Sequence, residues 1–120
     1  MKFAENARIA VVGLGPHTGT LAAPSVVAEL RGRDGQRYRV EGSTRIGRRP
    51  DNDIVLDDDT DVSRYHAVII DTGTGFVIYD SKSTNGVEVQ QQRIRGSATL
   101  ADGDRIRIGS HEFTVEIRPS

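Results

Sequence analysis

The stretch "VSRYHAVIIDTGTGFVIYD", residues 62–80, holds two β-type runs, "YHAVIID" and "GFVIYD", on either side of the turn residues "TGTG". Both runs are rich in β-branched and aromatic residues, and each is too short to be an ordinary helix. The same rhythm extends in both directions from it. Upstream lie "VVAEL", "RYRV", "STRIG" and "DIVL"; downstream lie "VEV", "ATL", "RIRIG" and "EFTVEI". The breaks carry "GRDG", "RPDN", "STNG" and "ADGD", where Gly, Asn, Asp and Pro supply turn conformations. No window from 26 to 118 keeps apolar residues at i, i+3, i+4 and i+7 for the ~10 residues a helix needs. Short strands at regular spacing predict an all-β, two-sheet antiparallel sandwich over residues 26–120, with almost no helix.

Residues 1–25 differ. An apolar run leads into "GLGPHTGTLAAPS", which lacks periodicity and reads as an N-terminal extension with a flexible composition. The run "IAVVGLGPHTG" imitates the start of a dinucleotide-binding loop. That fingerprint needs a third glycine where Thr18 stands, and it needs a helix where Pro24 interrupts the segment. No Gly-Lys-Ser/Thr is present, so the phosphate loop of nucleoside triphosphatases is excluded as well. A strand followed by a turn accounts for the segment.

"DDDTD" imitates a calcium loop, with Asp57, Asp59 and Asp61 at the first, third and fifth ligand positions. Val62 stands where the glycine is needed and Val68 where the closing glutamate is needed. It reads as a solvated acidic loop, and neither a metal nor a cofactor is expected.

The 120 residues suit one domain and are too few for a cofactor domain plus a substrate domain. No apolar run reaches the ~20 residues of a membrane span, and no small-x-small cleavage site precedes Gly15-Pro16. The absence of cysteine excludes disulfides and thiolate metal sites. A cytoplasmic protein is expected. The formal net charge of −1 gives no basis for counterion-release binding, so nucleic acid is not an expected partner. Cationic charge is nearly all arginine, the only lysines being Lys2 and Lys82. Arginine matches phosphate bidentately, although so broad a bias fits genomic composition equally well.

Four elements remain: Gly47-Arg48, "SRYH" at Ser63 to His66, "STNG" at Ser83 to Gly86, and the strands between them. Singly, each has an ordinary explanation. Arg48 can simply end a strand. Asn85-Gly86 can be a type I′ hairpin turn, because both residues tolerate positive φ. Ser63 and His66 can be a turn serine and a structural histidine. Nothing supplies the orienting group and oxyanion hole that a hydrolytic Ser-His pair requires, so an enzyme is not expected.

Together and in this order they resemble the forkhead-associated (FHA) domain, a phosphothreonine-binding β-sandwich. "RIGRRPDNDIVLDD", "VSRYHAVI", "DSKSTNGVEV" and "LADGDRIRIG" carry the resemblance, which runs from about Val26 to Ile117. Among such domains the chain is most similar to the module that ends actinobacterial transcription regulators controlled by serine/threonine kinases. The resemblance implies that Arg48 and Ser63 contact the phosphate and that Arg64 supports it. It implies further that Thr84 adds a hydroxyl and Asn85 holds the peptide main chain, with Gly47, His66 and Gly86 shaping the loops. The physical requirement agrees: a phosphothreonine carries about −1.5 to −2 charges and three acceptor oxygens, which suits a fixed guanidinium plus neutral donors.

The acidic loop between Leu56 and Val62 is one residue longer than the commonest family spacing, and it either displaces Ser63 or bulges outward. Its aspartates would oppose a phosphate placed beside them. Three functions follow as alternatives. The chain docks a phosphothreonine protein made by a serine/threonine kinase; or Thr18 and Thr20 of its own extension become phosphorylated and occupy the site; or it is a structural sandwich without ligand.

Overall fold

A computed structural model describes residues 26–120; Thr18, Thr20 and the Gly13–Gly15 turn lie outside the described residues. Eleven strands and no helix occur in them. The strands are β1 (Val26–Gly32), β2 (Arg37–Val40), β3 (Ser43–Gly47), β4 (Ile54–Val55), β5 (Ala67–Asp71) and β6 (Phe76–Asp80). They continue with β7 (Val87–Val89), β8 (Gln92–Arg93), β9 (Ser97–Leu100), β10 (Arg105–Ile108) and β11 (His111–Pro119).

One sheet has the order β2-β1-β11-β10-β7-β8 and the other β4-β3-β5-β6-β9. The expected all-β sandwich is therefore present, with one refinement. β3 and β4 pair in parallel, Ile46 with Ile54 and Gly47 with Val55, while the other strand pairs are antiparallel. A parallel neighbour this close in sequence is reached through the loop from Arg48 to Asp53, which turns the chain without a helix.

The alternation visible in the sequence is the burial pattern. In β10 Ile106 and Ile108 are buried while Arg105 and Arg107 face solvent; in β3 Thr44 and Ile46 are buried while Ser43 and Arg45 do not join them. The core joins Leu30, Phe113 and Val115 of one sheet to Ile46, Ile69, Phe76 and Ile78 of the other. Each such side chain contributes roughly 1.5–3 kcal/mol by leaving water. Cutting fully buried Ile69 or Ile78 to alanine would cost about 2–5 kcal/mol, because neighbours held in paired strands cannot collapse into the void. This closed core makes the sandwich a rigid base for its loops.

Strand β11, nine residues long, pairs with β1 over its last seven residues, Val26 opposite Pro119 and Gly32 opposite Phe113. The β7–β8 hairpin turns on Gln90 and Gln91, both with positive φ (53° and 68°). This is the pair of left-handed residues that a two-residue primed turn demands. Asn85-Gly86, the hairpin candidate in the sequence, is not that turn: only Gly86 has positive φ, and the segment is part of the loop joining β6 to β7.

Candidate functional site

Three loops meet: β3–β4, β4–β5 and β6–β7. Gly47 ends β3 at the place where the β4–β5 loop crosses closest, and a Cβ there would collide with the Arg64 carbonyl oxygen and lie 2.8 Å from Asn52 Nδ2. Glycine is required for the approach. The next residue, Arg48, is fixed through its main chain, whose N–H donates to the Ser63 carbonyl at 3.0 Å, and through Nε, which donates to the Val62 carbonyl at 2.9 Å. Its Nη1 and Nη2 have no partner among the described residues. The guanidinium is thus oriented by one arm with its fork unspent.

Ser63 is aligned from both sides. Its N–H donates to His66 Nδ1 at 2.9 Å, and its Oγ accepts the Thr84 N–H at 3.1 Å, which leaves the hydroxyl proton available to a further acceptor. His66, fully buried, accepts at Nδ1 and so carries its proton on Nε2, which donates to the Gly86 carbonyl at 2.7 Å. One ring therefore ties the β4–β5 loop to the β6–β7 loop. Main-chain bonds from the His66 N–H to Ile46 and from the Ser81 N–H to the His66 carbonyl continue the tie into β3 and toward β7.

Asn85 Nδ2 donates to the Asp61 carbonyl at 2.8 Å, leaving its Oδ1 and second amide hydrogen for other partners. Thr84 is exposed beside it. Arg64 is exposed too, with no side-chain partner among the described residues. The structure thus brings Arg48, Ser63, Thr84 and Asn85 onto one rim, joins Arg64 to it by sequence adjacency, and puts Gly47, His66 and Gly86 beneath.

Sequence reading missed several supports. Buried Asn52 donates from Nδ2 to both the Arg49 and Arg64 carbonyls at 2.9 Å, clamping the two loops together, while its Oδ1 finds no partner. Ser83 Oγ accepts the Gly86 N–H at 2.9 Å, and Asp80 Oδ1 accepts the Ser83 N–H at 2.8 Å. Tyr65 donates to Asp51 at 2.8 Å and holds that carboxyl below its usual range. The only signal of Asn52 in the sequence was a turn-rich "RPDN".

The longer acidic loop is tied by its side chains to the start of β11 and the turn before it. Asp59 Oδ2 accepts both the N–H and the hydroxyl of Ser110 at 2.7 Å, and its Oδ1 accepts the Asp61 N–H. These bonds, the Ser110 hydroxyl first, pull its pKa down to about 2. Asp58 takes a 2.9 Å contact from His111. Two of the aspartates are therefore engaged with the β10–β11 turn. A shallow groove of about 290 Å³, lined by Asp61, Asn85, Gly86, Glu88, Arg107 and Gly109, opens between that loop and β7.

Residues 44–109 match the family model described as FHA domain, more than half of the chain. The chain belongs to the FHA domain family. The rim described above is thus the loop end of an FHA domain. This domain is similar to the transcriptional regulatory protein EmbR of Mycobacterium tuberculosis, 60% identical over 84 residues, which are 69% of this chain and 21% of that protein. The chain thus spans about a fifth of that relative's length. A solved structure of EmbR in complex with a low-affinity phosphopeptide superposes with a TM-score of 0.73 at 56% identity, covering 75% of this chain and 24% of the other. A structure from an analysis of phosphothreonine-dependent FHA domain interactions gives 0.73 at 38% identity, covering 78% and 99%. No helix among the described residues is long and apolar enough to cross a membrane.

Proposed function

We propose that residues 26–120 form a non-catalytic, cytoplasmic module that binds phosphothreonine peptides, docking onto a protein phosphorylated by a serine/threonine kinase, with residues 1–25 as an extension. One observation carries the reading: Arg48 is anchored through Nε with its fork unspent, next to a Ser63 hydroxyl whose proton is unspent. A guanidinium fork and a hydroxyl are what a tetrahedral dianion asks for. In this reading Arg64 supports the phosphate from outside, Thr84 adds a donor, and Asn85 spans to the peptide main chain. The relatives studied with phosphopeptides support it.

The test is a set of fluorescence-polarisation titrations with one peptide bearing threonine, phosphothreonine or phosphoserine. Burial of one methyl group contributes roughly 0.8 kcal/mol, and the stiffer χ1 of threonine lowers the entropy lost. At least a tenfold preference for phosphothreonine over phosphoserine is expected, and no measurable binding of the unmodified peptide. Equal affinity for the two phosphopeptides would show that phosphate alone is read, and binding of all three would end the proposal.

A further inference from the structure

Beside the rim stands a cation that neither the family motifs nor the fold uses. Arg93 lies on β8, which pairs with β7 immediately after the loop that bears Asn85. Its guanidinium is packed on Gly86: a Cβ at that glycine would stand 2.5 Å from Arg93 Nε and 2.8 Å from Cζ. The positive φ of Gly86 (84°) disfavours a side chain at 86, and with none there the guanidinium lies over that glycine, one residue from Asn85. Arg93 is exposed and has no carboxylate within ion-pair distance among the described residues; its cross-strand neighbour Glu88 does not reach it.

We propose that Arg93 reads a second anionic group on the ligand, a carboxylate or a second phosphate flanking the phosphothreonine. The inference rests on the phosphothreonine reading above and gives that site a charge preference. Position decides the sign. Glu88 and Asp61 line the adjoining groove and repel an anion there, whereas Arg107 on β10 attracts one. An anion over Gly86 meets Arg93 first. Only one or two flanking positions come within reach, because exposed charges are screened beyond about 8 Å at physiological salt.

The probe is a pool of phosphothreonine peptides with flanks drawn from Ala, Gly and Ser, set against pools in which one flanking position at a time is Glu or phosphoserine. For the unmutated protein, an anion at one or two positions should tighten binding about three- to tenfold, the range of an exposed but charge-assisted pair. Arg93→Gln should erase that gain while binding the neutral pool within about twofold, and Arg93→Lys should keep part of it. A gain from Glu identifies a carboxylate reader, and a gain confined to phosphoserine identifies a second phosphate; either supports the inference. A flat response at every position, or a gain that survives Arg93→Gln, overturns it. Failure of the unmutated protein to bind even the neutral pool would overturn the phosphothreonine reading and this inference with it. A Gln variant that loses the neutral pool while Lys keeps both would make Arg93 a brace for Gly86, again contrary to the proposal.

Discussion

The outer face of β2-β1-β11-β10 and the loop rim are both rich in arginine, and they use it in opposite ways. On the sheet face most cations are matched: Arg31 and Arg37 meet Glu116, Arg37 and Arg118 reach Glu29 at 3.3 and 3.5 Å, and Arg33 and Arg105 reach Glu112 at 3.8 and 3.9 Å, whereas Arg107, which lines the groove beside the rim, has no carboxylate partner among the described residues. Glu29 and Glu116 stand directly opposite each other on paired strands, a like-charge contact that would repel without these arginines. Glu116 holds the Arg37 guanidinium still more firmly protonated than usual. At the rim, Arg48, Arg64 and Arg93 have no carboxylate partner among the described residues. Matched arginine ties paired strands together, and the unmatched arginines of the rim leave their charge unspent among the described residues. Composition alone does not separate the two uses.

The largest effect should come from removing what the rim stands on. His66→Ala deletes a fully buried ring and strands the Ser63 N–H and the Gly86 carbonyl, at a cost of about 3 kcal/mol or more. Urea unfolding should show this, with near-normal peptide affinity wherever the variant remains folded; normal stability with lost affinity would instead make His66 a ligand.

Arg48→Ala removes unmatched charge. Hydrogen bonds to charged groups contribute roughly 1.5–3 kcal/mol, so phosphopeptide affinity should fall about ten- to hundredfold with the fold intact. Ser63→Ala should weaken binding less, having lost a neutral donor. Unchanged polarisation curves for Arg48→Ala would place the rim's function elsewhere.

The acidic loop offers a pH test. The folded pKa of Asp59, about 2, lies below its ordinary value, so its stabilisation is complete above about pH 4 and disappears as pH falls toward 2. Asp59→Asn should melt at a lower temperature at pH 7 and converge with the parent near pH 2. Parallel melting curves across that window would mean that the carboxylate does not hold Ser110. The smallest effect belongs to the matched face: Glu116→Ala frees exposed arginines, and exposed pairs contribute little. Its melting temperature should move least of the series and its phosphopeptide affinity should not change; a lost affinity would erase the distinction between the two regions.

Most of the fold was legible because ten of the strands carry alternating or continuous apolar runs bounded by turn residues. The exception, Gln92–Arg93, is two exposed residues and has no pattern to read. Its hairpin turns on Gln90-Gln91, residues that do not announce a primed turn, whereas Asn85-Gly86 announced one and serves in a loop. Of the site, the motif residues were visible as a set, but their supports were not. The bonds from Asn52 to Arg64, from Asp59 to Ser110 and from His66 to Gly86 join residues 12, 51 and 20 positions apart, and no local spacing encodes such pairs. Arg93 was hidden for the same reason: its meaning lies in which glycine it covers and in which carboxylate it fails to meet.

The β1–β11 ribbon has a mechanical consequence. Val26 and Pro119 are opposite partners, so a pull that separates these two points loads the ladder at one end, across its hydrogen bonds rather than along the strands. Bonds aligned with the pull open one after another, as a zipper does, instead of resisting together. At ~3.3 Å per residue the eight steps of β11 put about 26 Å between Pro119 and the start of the strand, next to the Ser110 that Asp59 holds. Tension applied at Val26 and Pro119 would therefore open that end of the ribbon first, and the rim would feel it last.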